Sequence, residues 1–135
     1  MKINNDVIFL NSRFNNMKYF IKEGNIGAHI IDRIKWYLFP KFKIVLTFPM
    51  HVDIEITNAC QLRCPMCAQN ISNVKKGFMD FQIYKKIIDE CSKENMYSIR
   101  LSWRGEVALH KELFEMIKYA KDRNIKSISF LTNIT

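Results

Sequence analysis

The chain has 135 residues, 48% of them hydrophobic and 25% charged, a balance typical of a globular domain rather than a disordered or fibrous chain. The formal net charge is +8, and the first fifty residues hold eight basic and three acidic side chains against thirteen and ten in the rest. No zinc-finger spacing or aromatic-basic RNA-binding signature accompanies this excess, so a solvated basic surface is the preferred interpretation and no nucleic acid partner is indicated.

The first predicted domain, residues 1–49, is an N-terminal segment with one amphipathic helix. Residues 1–24 support no defined element and hold no apolar run long enough for a signal sequence. Asn25 is a suitable N-cap, and Pro40 ends the helical pattern. The apolar face between them consists of Ile26, Ile30, Ile31, Ile34 and Leu38.

This helix is expected to pack on the chain's own domain. The alternative is weak contact with an anionic membrane surface, through a basic flank that includes Trp36 and Tyr37. Charged side chains interrupt the region too often for a membrane span, so we expect a soluble chain.

From about residue 50 the hydrophobic period predicts the order strand, helix, strand, helix, strand. Each element carries apolar residues at its own period. They are Val52, Ile54 and Ile56 in the first strand; Ile83, Ile87, Ile88 and Cys91 in a helix capped by Asp80 and ending near Asn95; Ile99, Leu101 and Trp103 in the second strand; Leu113, Phe114, Ile117 and Ala120 in a helix closed by Asn124; and Ile128 and Phe130 in the third strand.

This alternation predicts an α/β fold with parallel strands and right-handed crossovers. Functional groups of such folds lie on the loops beyond the carboxyl ends of the strands. Those loops carry the cysteines of residues 60–67, then residues 104–106, then residues 132–133. The three segments are therefore expected to converge on one rim.

The stretch "CQLRCPMC" places Cys60, Cys64 and Cys67 directly after the first strand. Such crowding is unlike a secreted disulfide framework and favours a metal site in a reduced, cytoplasmic compartment. Thiolates select zinc, copper(I) or iron-sulfur clusters. A closed structural zinc site needs a fourth ligand, for which His110 is the candidate. Three thiols on a four-iron cluster would instead leave one iron open.

The spacing C-x-x-x-C-x-x-C after a strand resembles the signature of the radical S-adenosylmethionine (radical SAM) enzymes. The resemblance covers residues 50–135. It implies that Cys60, Cys64 and Cys67 hold a 4Fe-4S cluster whose fourth iron is chelated by S-adenosylmethionine. Met66 stands where the family has an apolar residue near the adenine.

Two further segments are similar to family motifs. "RGEVALH" resembles a Gly-Gly-Glu-Pro-like segment, which implies that Gly105 and Glu106 engage the methionine amino group, although Arg104 and Val107 depart from the pattern. "LTNIT" is similar to a Thr-Asn-Gly segment near the cofactor. The resemblance thus adds Thr132 and Asn133 to the cofactor-binding residues.

The resemblance implies the N-terminal part of a parallel (β/α) partial TIM barrel, with residues 50–135 forming its first three strands and two helices behind the helical N-terminal segment. The activity expected of the whole enzyme is reductive cleavage of S-adenosylmethionine to a deoxyadenosyl radical. The resemblance also implies a reductant such as flavodoxin or ferredoxin and an unknown substrate.

The chain alone is expected to be incomplete and weakly active or inactive. The alternative is a non-catalytic metal-binding module holding structural zinc or an iron-sulfur cluster.

Overall fold

The structure, a computed structural model, describes residues 26–71 and 74–133. Contacts within the chain divide it into two compact units, Met1–Val45 and Leu46–Thr135. The predicted boundary at residue 49 stays a prediction. Within the described residues, no helix is both long enough and apolar enough to cross a membrane.

The first unit contains helix α1, Ile26–Lys41, which confirms the predicted helix. The predicted cap, Asn25, lies outside the described residues. The helix continues one residue beyond Pro40, which lies in its last turn. Most of the predicted apolar face is exposed, namely Ile26, Ile30, Ile31 and Ile34, whereas Asp32 is buried.

The second unit is built on three short parallel strands, as the alternation predicts. They are β1 (His51–Asp53), β2 (Ser98–Arg100) and β3 (Ser127–Ser129). The sheet order is β1-β2-β3, with Val52 opposite Ile99 and Ile99 opposite Ile128. Backbone hydrogen bonds extend the pairing past the strands, since Ile54 N donates to Arg100 O at 2.7 Å. All three carboxyl ends therefore lie at one edge of the sheet.

Two helices connect these strands, α3 (Phe81–Lys93) and α4 (Leu113–Asp122), and a short helix α2 (Ala68–Ile71), not predicted from the sequence, follows the cysteines. Asp80 caps α3 as predicted, because its carboxylate accepts the backbone N–H groups of Gln82 and Ile83. Asn95 and Asn124 follow the two helices with positive φ angles of 52° and 68°. Asparagine tolerates this left-handed conformation, which ends a helix.

The core lies between the sheet and helices α3 and α4. Its buried apolar members are Ile54, Ile56, Tyr84, Ile88, Cys91, Met96, Ile99, Leu101, Val107, Leu113, Met116, Ala120 and Ile125. Most of the predicted core residues belong to this set or pack against it.

Four of the residues predicted to face the core are exposed instead: Ile83 by 54%, Trp103 by 66%, Phe114 by 74% and Phe130 by 38%. In both helices the buried face is shifted around the axis, so that Tyr84 and Met116 take the inner positions. Trp103 lies beyond the end of β2, where the chain leaves the sheet and strand alternation no longer fixes the side chain.

Candidate functional site

The cysteine loop leaves the sheet after β1 and is closed at its base by an antiparallel bridge between Thr57 and Phe78. The hydroxyl of Thr57 donates to Gly77 O at 2.8 Å and accepts the backbone N–H of Ala59 at 3.0 Å. The Asn58 side chain accepts from Gly77 N at 2.7 Å and donates to Lys75 O at 3.0 Å. The base of the loop is therefore fixed by its own polar side chains.

Gly105 lies against this base without room for a side chain. A Cβ atom built on it would stand 2.2 Å from Thr57 O and 2.9 Å from Ala59 O. The next residue, Glu106, donates its backbone N–H to Ala59 O at 2.8 Å. Glycine is required here because the segment after β2 and the cysteine loop approach backbone to backbone.

Glu106 joins the segments after β2 and β3. Its carboxylate accepts the Thr132 hydroxyl at 2.6 Å, the backbone N–H of Asn133 at 2.8 Å and that of Ala108 at 3.0 Å. The side chain is buried, with the residue only 3% exposed. Burial alone would raise the pKa of Glu106, but the bonds from Asn133, Thr132 and Ala108 outweigh it and lower the pKa. The carboxylate is thus ionised at neutral pH.

Asn133 brings the end of β3 to the first cysteine. Its side-chain N–H donates to Cys60 Sγ at 3.8 Å, and its Oδ1 accepts from Gln61 Nε2 at 2.9 Å. The predicted convergence of three strand ends on one rim is confirmed by these contacts together with those of Gly105 and Glu106. Cys60, Gly105, Glu106, Thr132 and Asn133 therefore form one contiguous cluster.

The structure does not gather the remaining predicted residues. Cys64 is exposed and Cys67 half-buried, joined by a turn in which Cys67 N donates to Cys64 O at 3.0 Å. Met66 is 93% exposed, so it is not packed against other side chains. Over residues 26–71 and 74–133, no three His, Cys, Asp or Glu side chains stand close enough together to hold a metal ion. The three cysteines remain predicted ligands.

His110 is unsuited to complete a zinc site. Its Nδ1 accepts the backbone N–H of Glu112 at 3.2 Å, so the proton resides on Nε2, which donates to Met79 O at 3.1 Å. The residue is 5% exposed, and the ring packs edge-on against Phe78. His110 thus fastens the end of the cysteine loop to the turn after β2.

Cys91 is a core residue, as predicted. It is 1% exposed on the inner face of α3, and burial raises the pKa of its thiol. A protonated thiol among apolar side chains is a poor metal ligand.

Arg104 and Glu55 form an ion pair beside the rim that the sequence alone did not indicate. Arg104 Nε donates to Glu55 Oε1 at 2.8 Å, and Nη2 donates to Oε2 at 2.7 Å. The hydrogen bonds and charge of Arg104 lower the pKa of Glu55 despite its partial burial. Alternation along the first strand sends Ile54 and Ile56 into the core and Glu55 to the other face, but it does not identify Arg104 as the partner of Glu55.

The clamp at the base of the cysteine loop was also missed. Thr57 and Asn58 follow the strand as residues that commonly bind nearby backbone, and Gly77 lies twenty residues from Thr57. Local sequence marks the first two as turn formers but gives no sign of their distant partner.

We predict that Glu106→Gln lowers the free energy of unfolding by about 1 to 3 kcal/mol at neutral pH, because an amide N–H₂ replaces one acceptor oxygen among three buried donors. The folded pKa of Glu106 is lowered, so its contribution is present above the unfolded value of about 4.3 and is lost as the pH falls through the folded value. Urea titrations across this range should show the difference between the two proteins shrinking below about pH 4.

The control for this prediction is Glu115→Gln, which changes an exposed acid of α4. Its difference from the parent protein should stay within about 0.5 kcal/mol across the range. A Glu106→Gln effect that does not depend on pH would contradict an ionised, hydrogen-bonded carboxylate.

Sequence similarity connects the chain to proteins of known activity. It is 31% identical over 86 residues to the tungsten-containing aldehyde ferredoxin oxidoreductase cofactor-modifying protein of Pyrococcus furiosus, covering 63% of this chain and 24% of that protein. It is 31% identical over 75 residues to a PqqA peptide cyclase of Bradyrhizobium diazoefficiens, covering 55% of this chain and 20% of that protein. The chain thus spans about a quarter or less of these relatives. No protein-family model matches the chain.

Structural similarity defines the fold. The crystal structure of BtrN in complex with AdoMet and 2-DOIA superposes with a TM-score of 0.60 at 21% identity, covering 66% of this chain and 37% of that one. The parallel sheet with its helices corresponds to part of that radical SAM fold, which confirms the predicted fold class.

Fold and site together define an α/β domain with a cysteine loop at the carboxyl end of its first parallel strand. Several enzymes of the radical SAM superfamily are similar to the chain over part of their length, which confirms the resemblance found in the sequence. Members of this superfamily use a 4Fe-4S cluster and S-adenosylmethionine.

Proposed function

We propose that the chain binds a 4Fe-4S cluster through Cys60, Cys64 and Cys67 and binds S-adenosylmethionine beside it, as the N-terminal part of a radical SAM enzyme. The observation that carries this proposal is the contact between the cysteine loop, Glu106 and residues 132–133 at the carboxyl ends of three parallel strands. The two segments that resemble cofactor-binding motifs thus lie beside the first cysteine.

The donor set suits such a cluster. All four cysteines are thiols without a disulfide, and three of them occupy a loop whose base is closed by the bridge between Thr57 and Phe78. Thiolates are the ligands that iron-sulfur clusters require. His110 is engaged elsewhere, so three ligands leave one coordination position for another molecule. Binding would draw Cys64 and Cys67 towards Cys60, because the three thiols are not gathered in the described structure.

Glu106 is suited to receive the cofactor's ammonium group. A carboxylate has about four lone-pair sites. Thr132 and Ala108 donate to Oε1, whereas Asn133 is the one donor to Oε2 among residues 26–71 and 74–133. One site on Oε2 therefore remains for a cationic donor. Reduced cluster and bound S-adenosylmethionine together would supply a deoxyadenosyl radical for hydrogen abstraction from a substrate.

Anaerobic reconstitution of the chain with iron and sulfide tests the proposal. We expect about four iron and four sulfide per chain, and an electron paramagnetic resonance signal after dithionite reduction that shifts when S-adenosylmethionine is added. Parallel loading with zinc serves as the comparison. Zinc that is retained while iron is not, and that is lost in His110→Ala, would favour the structural zinc module instead.

The substrate, the reductant and the other partners of the whole enzyme are proposals. The substrate is unknown, and the reductant is proposed to be a flavodoxin or ferredoxin. Contact of helix α1 with an anionic membrane surface and a cytoplasmic location are predictions from composition.

A further inference from the structure

A small cavity of about 40 Å³ lies beside the cysteine loop. Its lining residues are Asn58, Gln69, Val74, Lys76 and Arg104. They come from the start of the cysteine loop, from α2, from the segment between α2 and α3, and from the turn after β2. The cavity exceeds the space that one water needs but holds only a few non-hydrogen atoms. It therefore has room for the terminal group of a larger molecule.

The charged residues lining this cavity are both cations. Lys76 and Arg104 belong to the lining, and no carboxylate does. The carboxylate of Glu55 offsets the charge of Arg104, so the Lys76 ammonium leaves the cavity with a net positive charge that favours an anion. The same lining excludes a metal cation as the ligand.

Arg104 is held in place and keeps hydrogen-bond donors for a ligand. Glu55 takes one N–H from Nε and one from Nη2. A guanidinium carries five N–H donors in a fixed plane, so this bidentate pair leaves the edge that includes Nη1. Glu55 thus orients the guanidinium, and orienting a side chain in advance reduces the entropy lost when a ligand binds.

Lys76 and Asn58, two other polar residues of the lining, differ in what they can offer a ligand. The Lys76 ammonium donates to Cys60 O at 3.4 Å, one long bond of the three it can make. The oxygen and the nitrogen of the Asn58 amide are already hydrogen-bonded to Gly77 and Lys75, so Asn58 lines the cavity but is not expected to bind the anion. The bond to Cys60 O places the ammonium directly beside the proposed cluster loop.

We propose that this cavity is a subsite in which Lys76 and Arg104 bind a small anionic group, a carboxylate or a phosphate, carried by the substrate. Its assignment to the substrate rests on the proposed function of the neighbouring cysteine loop. The ion pair of Arg104 with Glu55 makes Glu55 a positioning residue for this subsite. Anion binding itself requires neither cluster nor S-adenosylmethionine.

Titration of the cluster-free chain with inorganic phosphate, and separately with acetate, tests the anion site at low ionic strength. Nuclear magnetic resonance shifts of the Arg104 Nε–H and Lys76 side-chain signals report binding, and the tighter probe identifies the chemistry. The variants are Lys76→Gln and Arg104→Gln, each checked for folding by circular dichroism. Lys75→Gln is the matched control, because it removes an equal charge one residue away from the cavity lining.

The proposal expects saturable binding that Lys76→Gln or Arg104→Gln weakens by about tenfold or more, the effect of losing a charge-assisted hydrogen bond. Lys75→Gln should weaken it by less than about twofold, because Lys75 does not line the cavity and acts on an anion there only through a screened charge. Equal weakening by Lys75→Gln and Lys76→Gln, or shifts that do not saturate, would overturn the site and indicate a diffuse basic surface. This outcome is independent of cluster assembly.

A second measurement separates substrate from cofactor. The affinity of the cluster-loaded chain for S-adenosylmethionine should be the same in the parent protein and in Lys76→Gln. A loss of about tenfold in Lys76→Gln would assign the cavity to the cofactor's carboxylate and overturn its assignment to the substrate.

Discussion

Replacing any one of Cys60, Cys64 or Cys67 by alanine is expected to abolish the cluster that the reconstituted chain holds. Three thiolates are the whole protein contribution to the proposed site, and all three belong to the loop closed by the bridge between Thr57 and Phe78. A cluster with two remaining ligands would not gain His110 as a third, because His110 is buried and committed to Met79 and Glu112. Iron and sulfide per chain should fall from about four each to near zero.

Cys91→Ala is the matched control for this series. The residue is 1% exposed on the inner face of α3, within the core. Removing its sulfur should cost about 1 kcal/mol of stability through a small cavity, while iron and sulfide stay at the parent level. Retention of the cluster by Cys64→Ala, or its loss from Cys91→Ala, would contradict the assignment of ligands.

Periodicity predicted the sheet and its helices because each of these elements buries one face. The alternation of Ile54 and Ile56, and of Ile99 and Leu101, follows from strands whose alternate side chains enter a core. Asp80 and Asn124 mark helix ends through local backbone chemistry, which a short window of sequence contains.

The exposed aromatic residues show where this reasoning fails. Phe114 lies one position from the buried stripe of α4, and a helical wheel of ten residues does not distinguish a stripe through Leu113 and Met116 from one through Phe114 and Ile117. Trp103 continues the period of β2, but the strand ends at Arg100. An alternating hydrophobic pattern can continue past the last hydrogen-bonded residue, so the pattern alone does not show where a strand ends.

The candidate site likewise has a part that the sequence predicted and a part that it did not. Convergence of three segments follows from parallel topology, so the sequence could place Glu106 and Asn133 near Cys60. The partners of Glu106 could not be predicted, because Thr132 and Asn133 lie 26 and 27 residues further along the chain. The pairing of Arg104 with Glu55, 49 residues apart, is likewise a product of the fold.

Gly105→Ala is expected to lower the free energy of unfolding by about 3 kcal/mol or more. This loss is at or above the largest that overpacking a core usually causes. The added Cβ would stand 2.2 Å from Thr57 O and 2.8 Å from Thr57 C, closer than non-bonded atoms approach. These are backbone atoms at the clamped base of the cysteine loop, so no side-chain rotation relieves the clash. Urea unfolding followed by far-ultraviolet circular dichroism measures the loss.

Gly77→Ala separates this clash from the general effect of replacing a glycine. Gly77 lies at the same loop base, yet a Cβ there meets nothing within 4 Å. Its stability should change by less than about 1 kcal/mol. Because Gly105→Ala must push the cysteine loop away from Glu106, which donates to Ala59 O at 2.8 Å, it should also reduce cluster loading, whereas Gly77→Ala should not. Parent-like stability in Gly105→Ala would show that the segment after β2 does not approach the loop backbone as closely as described.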